Sequence, residues 1–264
     1  MAAASTDPDP ASDPAPASAP APAVVPPGQA HDLPAAVQMH MVLRRRIVTA
    51  DLLPGTRLSE QDIADQYHLS RQPVREAFIR LAGEGLLEVR PQRGTYVARI
   101  DMEWVLATRF IRESVEADIV RLAARRVDPA SMARLSALLV RQQAIAQGDA
   151  ASLVALDEEF HQTLAEMAER KLVWRHLQTL KIHLDRVRHL ISALTPRDEM
   201  LAQHRAIVEA VAAHDPDAAE QAMRTHLRRA LADLPRIMRL SPQFFDKAEW
   251  TLANLPEVLT PRAR

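Results

Sequence analysis

Apolar residues between positions 59 and 82 recur at the spacing of two short helices joined by a tight turn. In the second helix they follow the i, i+3, i+4, i+7 spacing that buries one helix face. Ser59 and Ser70 each stand where an N-cap residue starts a helix. The pattern predicts one helix beginning after Ser59 and another over residues 71 to about 82. The apolar positions of the second helix are Val74, Ala77, Phe78 and Leu81.

A β-hairpin is predicted directly after the second helix. Residues 86–90 and 95–98 have the composition of strands, and residues 91–94 have that of a turn. Two helices joined by a turn and followed by a hairpin form a winged helix-turn-helix, which binds duplex DNA. The wing tip would be Gln92, Arg93 and Gly94.

The first turn of the second helix carries the predicted DNA contacts. Arg71, Gln72 and Arg75 fall on one exposed face there. The N-terminal turn of a recognition helix enters the major groove, where a guanidinium group can bind guanine O6 and N7 or a phosphate. For the helix pair alone, a solvated surface helix is the better explanation. The hairpin that follows favours the DNA-binding interpretation.

The chain ahead of this motif divides into two parts. A helix is predicted over residues 35–50, and its run Arg44-Arg45-Arg46 fits a solvated face or a clamp on DNA phosphates equally well. Residues 1–34 hold nine of the nineteen prolines and no Lys or Arg, so they are predicted to be disordered. A misassigned start codon is an alternative origin for this Ala/Pro-rich segment.

The chain beyond Ile100 is predicted to be an antiparallel all-helical bundle, because strand signals vanish and short connections join the helical stretches. A tail over residues 241–264, with one short helix near 244–253, is expected to pack loosely or not at all. The protein is therefore mainly α, with the winged helix-turn-helix at 35–100 and the bundle at 101–240. The predicted helices span roughly 102–127, 129–147, 150–169, 171–193, 197–213 and 216–238.

Composition and charge narrow the class of protein. The 264 residues contain no cysteine, which removes disulfides, thiolate metal sites and cysteine nucleophiles. No run approaches about eighteen apolar residues, so no membrane span is predicted and a cytoplasmic location is expected. The net charge is only −1, but residues 35–100 carry ten arginines against seven acidic residues. This local positive excess fits attraction to DNA phosphates.

Residues 42–100 resemble the DNA-binding domain of the GntR family of bacterial transcription regulators. The run Ser70-Arg71-Gln72-Pro73-Val74-Arg75-Glu76-Ala77 carries most of the resemblance, and residues 53–60 and 93–95 add to it. Many relatives have a DNA-touching arginine where this chain has Gln61, so a contact there is expected to be weaker or of different specificity. The predicted DNA-contacting residues are Ser70, Arg71, Gln72, Arg75, Arg45, Gln61, Gln92, Arg93 and Gly94.

Histidines supply the candidate chemistry of the bundle. Asp157 and His161 are four residues apart, so both side chains leave one face of a helix. His204 and His226 each lie within an apolar stripe, where an imidazole without a partner costs a few kcal/mol of desolvation. A divalent metal would be such a partner, and three imidazoles with one carboxylate suit Zn, Ni or Mn.

Periodicity alone does not identify the ligands. His176 and His183 lie on the shoulder of an apolar stripe just as Asp157 and His161 do. A buried histidine is also more often a hydrogen-bonded core residue than a metal ligand. Both alternatives stay open when the residues are considered without a relative.

Residues 102–238 resemble the all-helical effector domain, called FCD, of the FadR-type branch of the GntR family. Many members of that branch bind a metal through an Asp-x-x-x-His pair and two later histidines on separate helices. The resemblance therefore implies a divalent metal, with Zn expected first and Ni or Mn as alternatives. The matching residues are Asp157, His161, His204 and His226.

The resemblance also implies a homodimer that binds a double-stranded DNA operator and responds to a small organic acid. In this family, binding of the acid most commonly releases a repressor from its operator, so repression relieved by the acid is expected here. The sequence does not identify the effector contacts: Arg109, Arg112, Arg186 and Arg188 are all candidates, with Arg109 and Arg112 put first, although Arg112 is expected rather to serve the fold. No nucleophile or acid pair accompanies the predicted site, so an enzyme is not expected. A metal-responsive regulator without organic effector, or a metal-dependent enzyme fused to a DNA-binding module, are the alternatives.

Overall fold

The computed structural model describes residues 33–145, 150–192, 197–229 and 231–247. Nearly all of the predicted disordered segment, and most of the short helix predicted near 244–253, lie outside these residues. Within them the chain is mainly helical, with one small sheet close to the N-terminal end. No helix among the described residues is long and apolar enough to cross a membrane.

The N-terminal unit, residues 33–100, is the predicted winged helix-turn-helix. Its three antiparallel strands lie in the order β1-β3-β2, and Arg90 pairs with Gly94 at the wing tip. The edge strand β1 was not predicted, because two residues are too few to show an alternating pattern. The elements are α1 (Ala35–Val48), β1 (Arg57–Leu58), α2 (Glu60–Gln66), α3 (Arg71–Gly83), β2 (Leu87–Arg90) and β3 (Gly94–Val97).

The two helix starts of the motif differ in detail. Ser59 caps α2 as predicted, accepting a hydrogen bond from the Asp62 backbone N–H at 3.3 Å. Ser70 occupies the N-cap of α3, but its side chain makes no capping hydrogen bond to any described residue, so that part of the prediction is wrong. The apolar face of α3 is buried as its spacing predicts.

The helical bundle follows Ile100 and holds the second core. Asp128 starts α5 by accepting hydrogen bonds from the N–H groups of Ala130 and Ser131, both at 3.0 Å. Its helices are α4 (Met102–Arg125), α5 (Pro129–Ala144), α6 (Ala150–Met167), α7 (Lys171–Leu180), α8 (Ile182–Ser192), α9 (Arg197–Ala212), α10 (Pro216–Arg229) and α11 (Leu234–Leu240).

One predicted helix, 171–193, is in fact two, and the break falls at Lys181. The Leu180 carbonyl accepts hydrogen bonds from two side chains of α4, Trp104 Nε1 at 2.7 Å and Thr108 Oγ1 at 3.1 Å, in place of a backbone hydrogen bond that would continue the helix. The Lys181 ammonium is buried and lies 2.9 Å from Glu158. These partners come from other helices, so the local sequence, which has no Gly or Pro here, gave no sign of the break.

The predicted helix 216–238 also ends early, at Arg229, and α11 resumes from Leu234. Pro235 lies in the first turn of α11. Because proline has no N–H and its ring clashes with the carbonyl four residues earlier, an uninterrupted helix could not pass through it. This break could have been predicted from the sequence.

Residues 241–247, the described part of the predicted tail, pack closely, contrary to the loose packing expected; the rest of the tail lies outside the described residues. A single 3-10 turn spans Pro242–Phe244. Ile100 then donates a backbone hydrogen bond to the Phe244 carbonyl at 2.8 Å and accepts one from Asp246 at 2.9 Å. Phe245 is almost fully buried in the apolar cluster at the junction of the N-terminal unit and the bundle. The apolar side chain thus gains burial that local composition did not suggest.

Helix α8 joins the two parts of the molecule. Ile182, its first residue, belongs to the core of the N-terminal unit. His183 lies against Gly85, where a Cβ atom would approach its Nε2 to 3.0 Å. Arg186 donates to the Ala98 carbonyl at 2.8 Å. Gly85 also has a φ of +73°, so both backbone and space require glycine at this contact.

Acidification is expected to loosen this contact. Burial, aided by the charge of Arg186 and opposed by Asp101, lowers the pKa of His183 from 6.5 to about 4. Below pH 6.5 the unfolded chain therefore takes up a proton that the folded chain does not. The contribution of neutral His183 to the free energy of unfolding is complete above pH 6.5. It is lost progressively as the pH falls to about 4, by at most about 3 kcal/mol.

Thermal unfolding of wild type and His183→Gln, measured between about pH 7.5 and 4.5, tests this expectation. The variant should lose less stability on acidification than the wild type. His176→Gln is the matched control, because it removes an exposed histidine of α7. Equal slopes for wild type and His183→Gln would contradict the assignment.

Candidate functional site

The first turn of α3 presents the candidate DNA contacts. Arg71 and Arg75 lie one turn apart and are exposed, with 64% of the Arg71 side chain accessible. Arg71 Nη2 is 3.3 Å from Glu60 Oε2, and Gln72 donates to Glu76 at 3.0 Å. Exposed pairs of this kind contribute at most about 1 kcal/mol to the stability of the fold. Arg71 and Gln72 can therefore each leave their protein partner and contact DNA instead.

The arginine run of α1 separates into three different environments. Arg45 is exposed, whereas Arg44 lies 3.4 Å from Glu84. Arg46 is buried and donates to the Tyr67 hydroxyl at 3.1 Å, so it supports the fold rather than a phosphate clamp. Only Arg45 of the run keeps the exposure that a phosphate contact requires.

The wing tip has a defined shape. Gln92 and Arg93 are exposed, and Gln92 has a φ of +60°. Gly94 has a φ of +111°, and a Cβ there would lie 3.0 Å from Arg57 Nε, so a larger residue would distort the tip. Tyr96 donates to the Arg93 carbonyl at 3.0 Å. On α2, Gln61 is exposed and donates to Asp65 at 2.8 Å.

The four predicted metal ligands converge in the bundle. Asp157 and His161 come from α6, His204 from α9 and His226 from α10, and all four are buried. Asp157 Oδ1 lies 3.2 Å from His204 Nε2 and 3.7 Å from the Nε2 atoms of His161 and His226. His226 Nε2 is 3.2 Å from His161 Nε2 and 3.4 Å from His204 Nε2.

These distances fit a metal ion. Atoms at the corners of a tetrahedron, each about 2.1 Å from a zinc ion, would be about 3.4 Å apart. Three imidazole Nε2 atoms and a carboxylate oxygen are donors that Zn, Ni or Mn accepts. The chain therefore contains a buried group of one Asp and three His that could hold a metal. The alternative pair does not join it, because His176 is exposed and His183 lies at the N-terminal unit.

A second set of side chains orients the three imidazoles. His161 Nδ1 lies 2.6 Å from Glu116 Oε2, His204 Nδ1 2.8 Å from Gln142 Oε1, and His226 Nδ1 3.1 Å from Gln203 Oε1. Gln142 Nε2 donates to the Leu156 carbonyl at 3.2 Å, which turns its oxygen toward His204. With Nδ1 of His204 and His226 donating to Gln142 and Gln203, their Nε2 atoms present lone pairs to the centre, as metal ligation requires, while His161 Nδ1 is in close ionic contact with Glu116.

The charges of the cluster fit a metal-free state as well. Burial lowers the pKa values of His204 and His226. Burial would also lower the pKa of His161, but the carboxylates of Glu116 and Asp157 raise it to about 9. A proton on His161 thus supplies positive charge where a metal would, and metal binding must displace it. Despite burial, Arg188 and His161 hold the pKa of Asp157 well below its usual range.

A cavity adjoins the cluster, with about 740 Å³ of empty space that is partly open to solvent. Asp157 and His226 face it, together with Arg112 and Arg188. Arg188 donates to both Asp157 and Glu158, so α8 is tied to the cluster as well as to the N-terminal unit. The other lining residues are Leu153, Val154, Ile191, Ser192, Glu199, Met200, Gln203, Leu227 and Arg229.

The four candidate effector arginines divide by position. Arg112 is buried, lines the cavity and donates through Nε to Glu116 at 2.5 Å. Arg188 lines the same cavity. Arg109 lines a smaller neighbouring space, together with Arg112 and Arg188, and lies 3.6 Å from Glu113. Arg186 contacts the N-terminal unit instead, so it does not line the cavity.

Two family models match this chain. Residues 37–97 match the family described as bacterial regulatory proteins, gntR family, and residues 108–229 match the FCD domain. These two stretches contain the predicted recognition helix and all four members of the Asp/His cluster. The sequence resemblance to both domains is therefore confirmed.

Curated relatives match this chain over most of their length. The chain is 37% identical over 216 residues to the HTH-type transcriptional repressor RspR of Escherichia coli, covering 81% of this chain and 95% of that protein. It is 39% identical over 208 residues to an uncharacterized HTH-type regulator of Streptomyces ambofaciens, covering 78% and 88%. It is 30% identical over 192 residues to a probable D-xylose utilization operon repressor of Paenarthrobacter nicotinovorans, covering 73% and 85%.

Solved structures share the fold. E. coli McbR/YncC superposes with a TM-score of 0.65 at 22% identity, covering 77% of this chain and 98% of that one. A putative GntR transcriptional regulator from Rhodococcus sp. RHA1 superposes with a TM-score of 0.61 at 26% identity, covering 77% and 97%. The arrangement of a winged helix-turn-helix beside a helical bundle is thus that of known regulators.

Proposed function

Because this chain belongs to the GntR family of bacterial transcription regulators and carries an FCD domain, we propose that it is a repressor released from its operator by a small organic acid. It is a DNA-binding transcription regulator and not an enzyme. The observation that carries the proposal is the connection made by α8. This helix contacts a DNA-binding unit at one end and an Asp/His cluster beside a cavity at the other.

The DNA-binding step relies on α3 and the wing. A homodimer would present two copies of α3 to the half-sites of a two-fold symmetric operator. Arg71, Gln72 and Arg75 would meet base edges or phosphates, while Arg93 of the wing approaches the DNA backbone. Their exposure supports these roles. The protein would act in the cytoplasm, where its DNA is.

The metal step relies on the buried cluster. Asp157, His161, His204 and His226 would hold a divalent ion, with zinc favoured by the tetrahedral spacing of their donor atoms and nickel or manganese as alternatives. When bound, such an ion would supply a positive charge next to the cavity. Glu116, Gln142 and Gln203 keep the three imidazoles in the ligating orientation.

The effector step relies on the cavity and α8. A carboxylate entering the cavity would meet Arg112 and compete with Asp157 for Arg188. A shift of Arg188 would move α8, whose Ile182 and Arg186 contact the N-terminal unit. An effector alters DNA occupancy only if it binds the DNA-competent and DNA-incompetent states with different affinity, and the coupling is reciprocal.

An electrophoretic mobility shift on the upstream region of the chain's own gene tests the proposal. Metal-loaded protein should retard this DNA more strongly than a random duplex, and an organic acid should release it. Two of the curated relatives are named repressors, which supports the expected sign. Release by metal titration alone, with no response to any acid, would instead support the metal-responsive alternative. Equal binding to operator and random DNA would contradict the proposal.

A further inference from the structure

The wall of the cavity beside the Asp/His cluster points to one class of acid. We infer that the effector is a monocarboxylate with an apolar body, rather than a sugar acid or a multiply charged acid. The inference rests on the proposed function, because it specifies the ligand of the same site. Three properties of the wall carry it: its carbon surface, the internal pairing of its polar groups, and one buried donor that lacks a partner.

Carbon atoms form most of the surface that the wall presents. The apolar side chains of the wall come from four different helices. An apolar ligand body would displace water from this surface with a gain in free energy. These side chains are Leu153 and Val154 of α6, Ile191 of α8, Met200 of α9 and Leu227 of α10.

The polar groups of the wall largely have hydrogen-bond partners within the protein already. Arg229 donates to Glu199 at 2.5 and 2.9 Å. Gln203 Oε1 lies 3.1 Å from His226 Nδ1, and Ser192 donates to the His189 carbonyl at 2.6 Å. A ligand with several hydroxyl groups would have to break such pairs or bury hydroxyls without partners, and both lose affinity.

One donor of the wall is left over. Arg112 Nη2 is buried and has no hydrogen-bond partner among the described residues, while Nε of the same guanidinium donates to Glu116. Of the cavity-lining side chains in the described chain, only Arg112 has such an atom. Nη2 is covered by protein atoms, so a single carboxylate would reach it after a shift of Arg112 and satisfy it with a charge-assisted hydrogen bond. A second or third carboxylate would have no equivalent partner there.

Calorimetric titration of the metal-loaded full chain with acetate, butyrate, hexanoate, gluconate and citrate tests the inference. Affinity should rise from acetate to hexanoate by about fourfold for each added methylene group. Gluconate and citrate should bind at least tenfold more weakly than hexanoate. Hexanoate should also be the acid that releases operator DNA at the lowest concentration.

The variant Met200→Gln separates the apolar wall from the carboxylate contact. It keeps the length of the side chain but makes it polar, and should weaken hexanoate about tenfold while leaving acetate unchanged. Met132→Gln is the matched control, since Met132 packs on the bundle core but does not line the cavity. Equal loss for both acids in Met200→Gln, or no loss for hexanoate, would overturn the role of the wall.

The outcomes separate this inference from the proposed function. Tighter binding of gluconate or citrate than of hexanoate would overturn the inference and leave an acid-responsive regulator in place. Specific operator binding with no heat from any of the five acids would overturn both the inference and the effector step. Failure to prefer operator DNA would remove the proposed function itself.

Discussion

Arg71→Ala combined with Arg75→Ala is expected to weaken operator binding at least a hundredfold. Each guanidinium that makes a bidentate contact with guanine contributes about 1–3 kcal/mol of discrimination, and a homodimer would lose four such groups. Both side chains are exposed on the first turns of α3, so their removal leaves the core of the N-terminal unit intact. Fluorescence anisotropy with labelled operator at a fixed salt concentration measures the change.

Arg80→Ala is the matched control for this pair. Arg80 is an exposed arginine near the C-terminal end of the same helix, away from the turn that would enter the groove. It should change operator affinity by less than about threefold, as expected for a distant surface charge. An unchanged dissociation constant for the double variant would show that α3 is not the recognition helix. A loss that is equal for operator and random DNA would assign both arginines to phosphates.

His204→Ala combined with His226→Ala is expected to abolish metal binding and the stability that the metal provides. Wild type prepared without chelator should carry one ion per chain, and the variant none. An ion present at a thousandfold its dissociation constant stabilises the folded state by about 4 kcal/mol. For a chain of this size, that corresponds to a rise in Tm of roughly 10 °C on adding zinc. Elemental analysis and thermal unfolding, with and without zinc, measure both effects.

His176→Ala controls for the loss of a histidine as such. His176 is exposed on α7, so this variant should keep its metal and its zinc-dependent rise in Tm. Glu116→Gln is expected to bind the metal with an affinity between those of the wild type and the double variant, because changing the partner of a ligating histidine costs about 10–100-fold in metal affinity. A double variant that retained the ion, or wild type that contained none, would contradict the metal site.

Features set by local chemistry were predictable from the sequence. The spacing of Val74 and Leu81 placed the buried face of α3, and the turn residues before Gly94 placed the wing. The motif that surrounds Arg71 identified the family. The convergence of Asp157 with three distant histidines was not predictable from periodicity, because it depends on how three helices pack. Only the resemblance to relatives selected this set over His176 and His183.

Other features depend on partners that are remote in the chain. Gln142 and Gln203 look like ordinary polar helix residues until the fold brings them to His204 and His226. The break at Lys181 depends on a carbonyl that is bonded by side chains of α4. Pro235, in contrast, gave a local signal for the end of the helix before it.

The presence of Ile182 in the core of the N-terminal unit limits how such regulators can be recombined. A chimera joined at residue 100 would pair a foreign operator-binding module with an α8 that evolved against a different surface. The residues of the N-terminal unit that surround Ile182, and the glycine that faces His183, would have to be transferred together with the α8 that they contact. Module exchange in this architecture therefore requires two grafts, at positions about eighty residues apart in the chain.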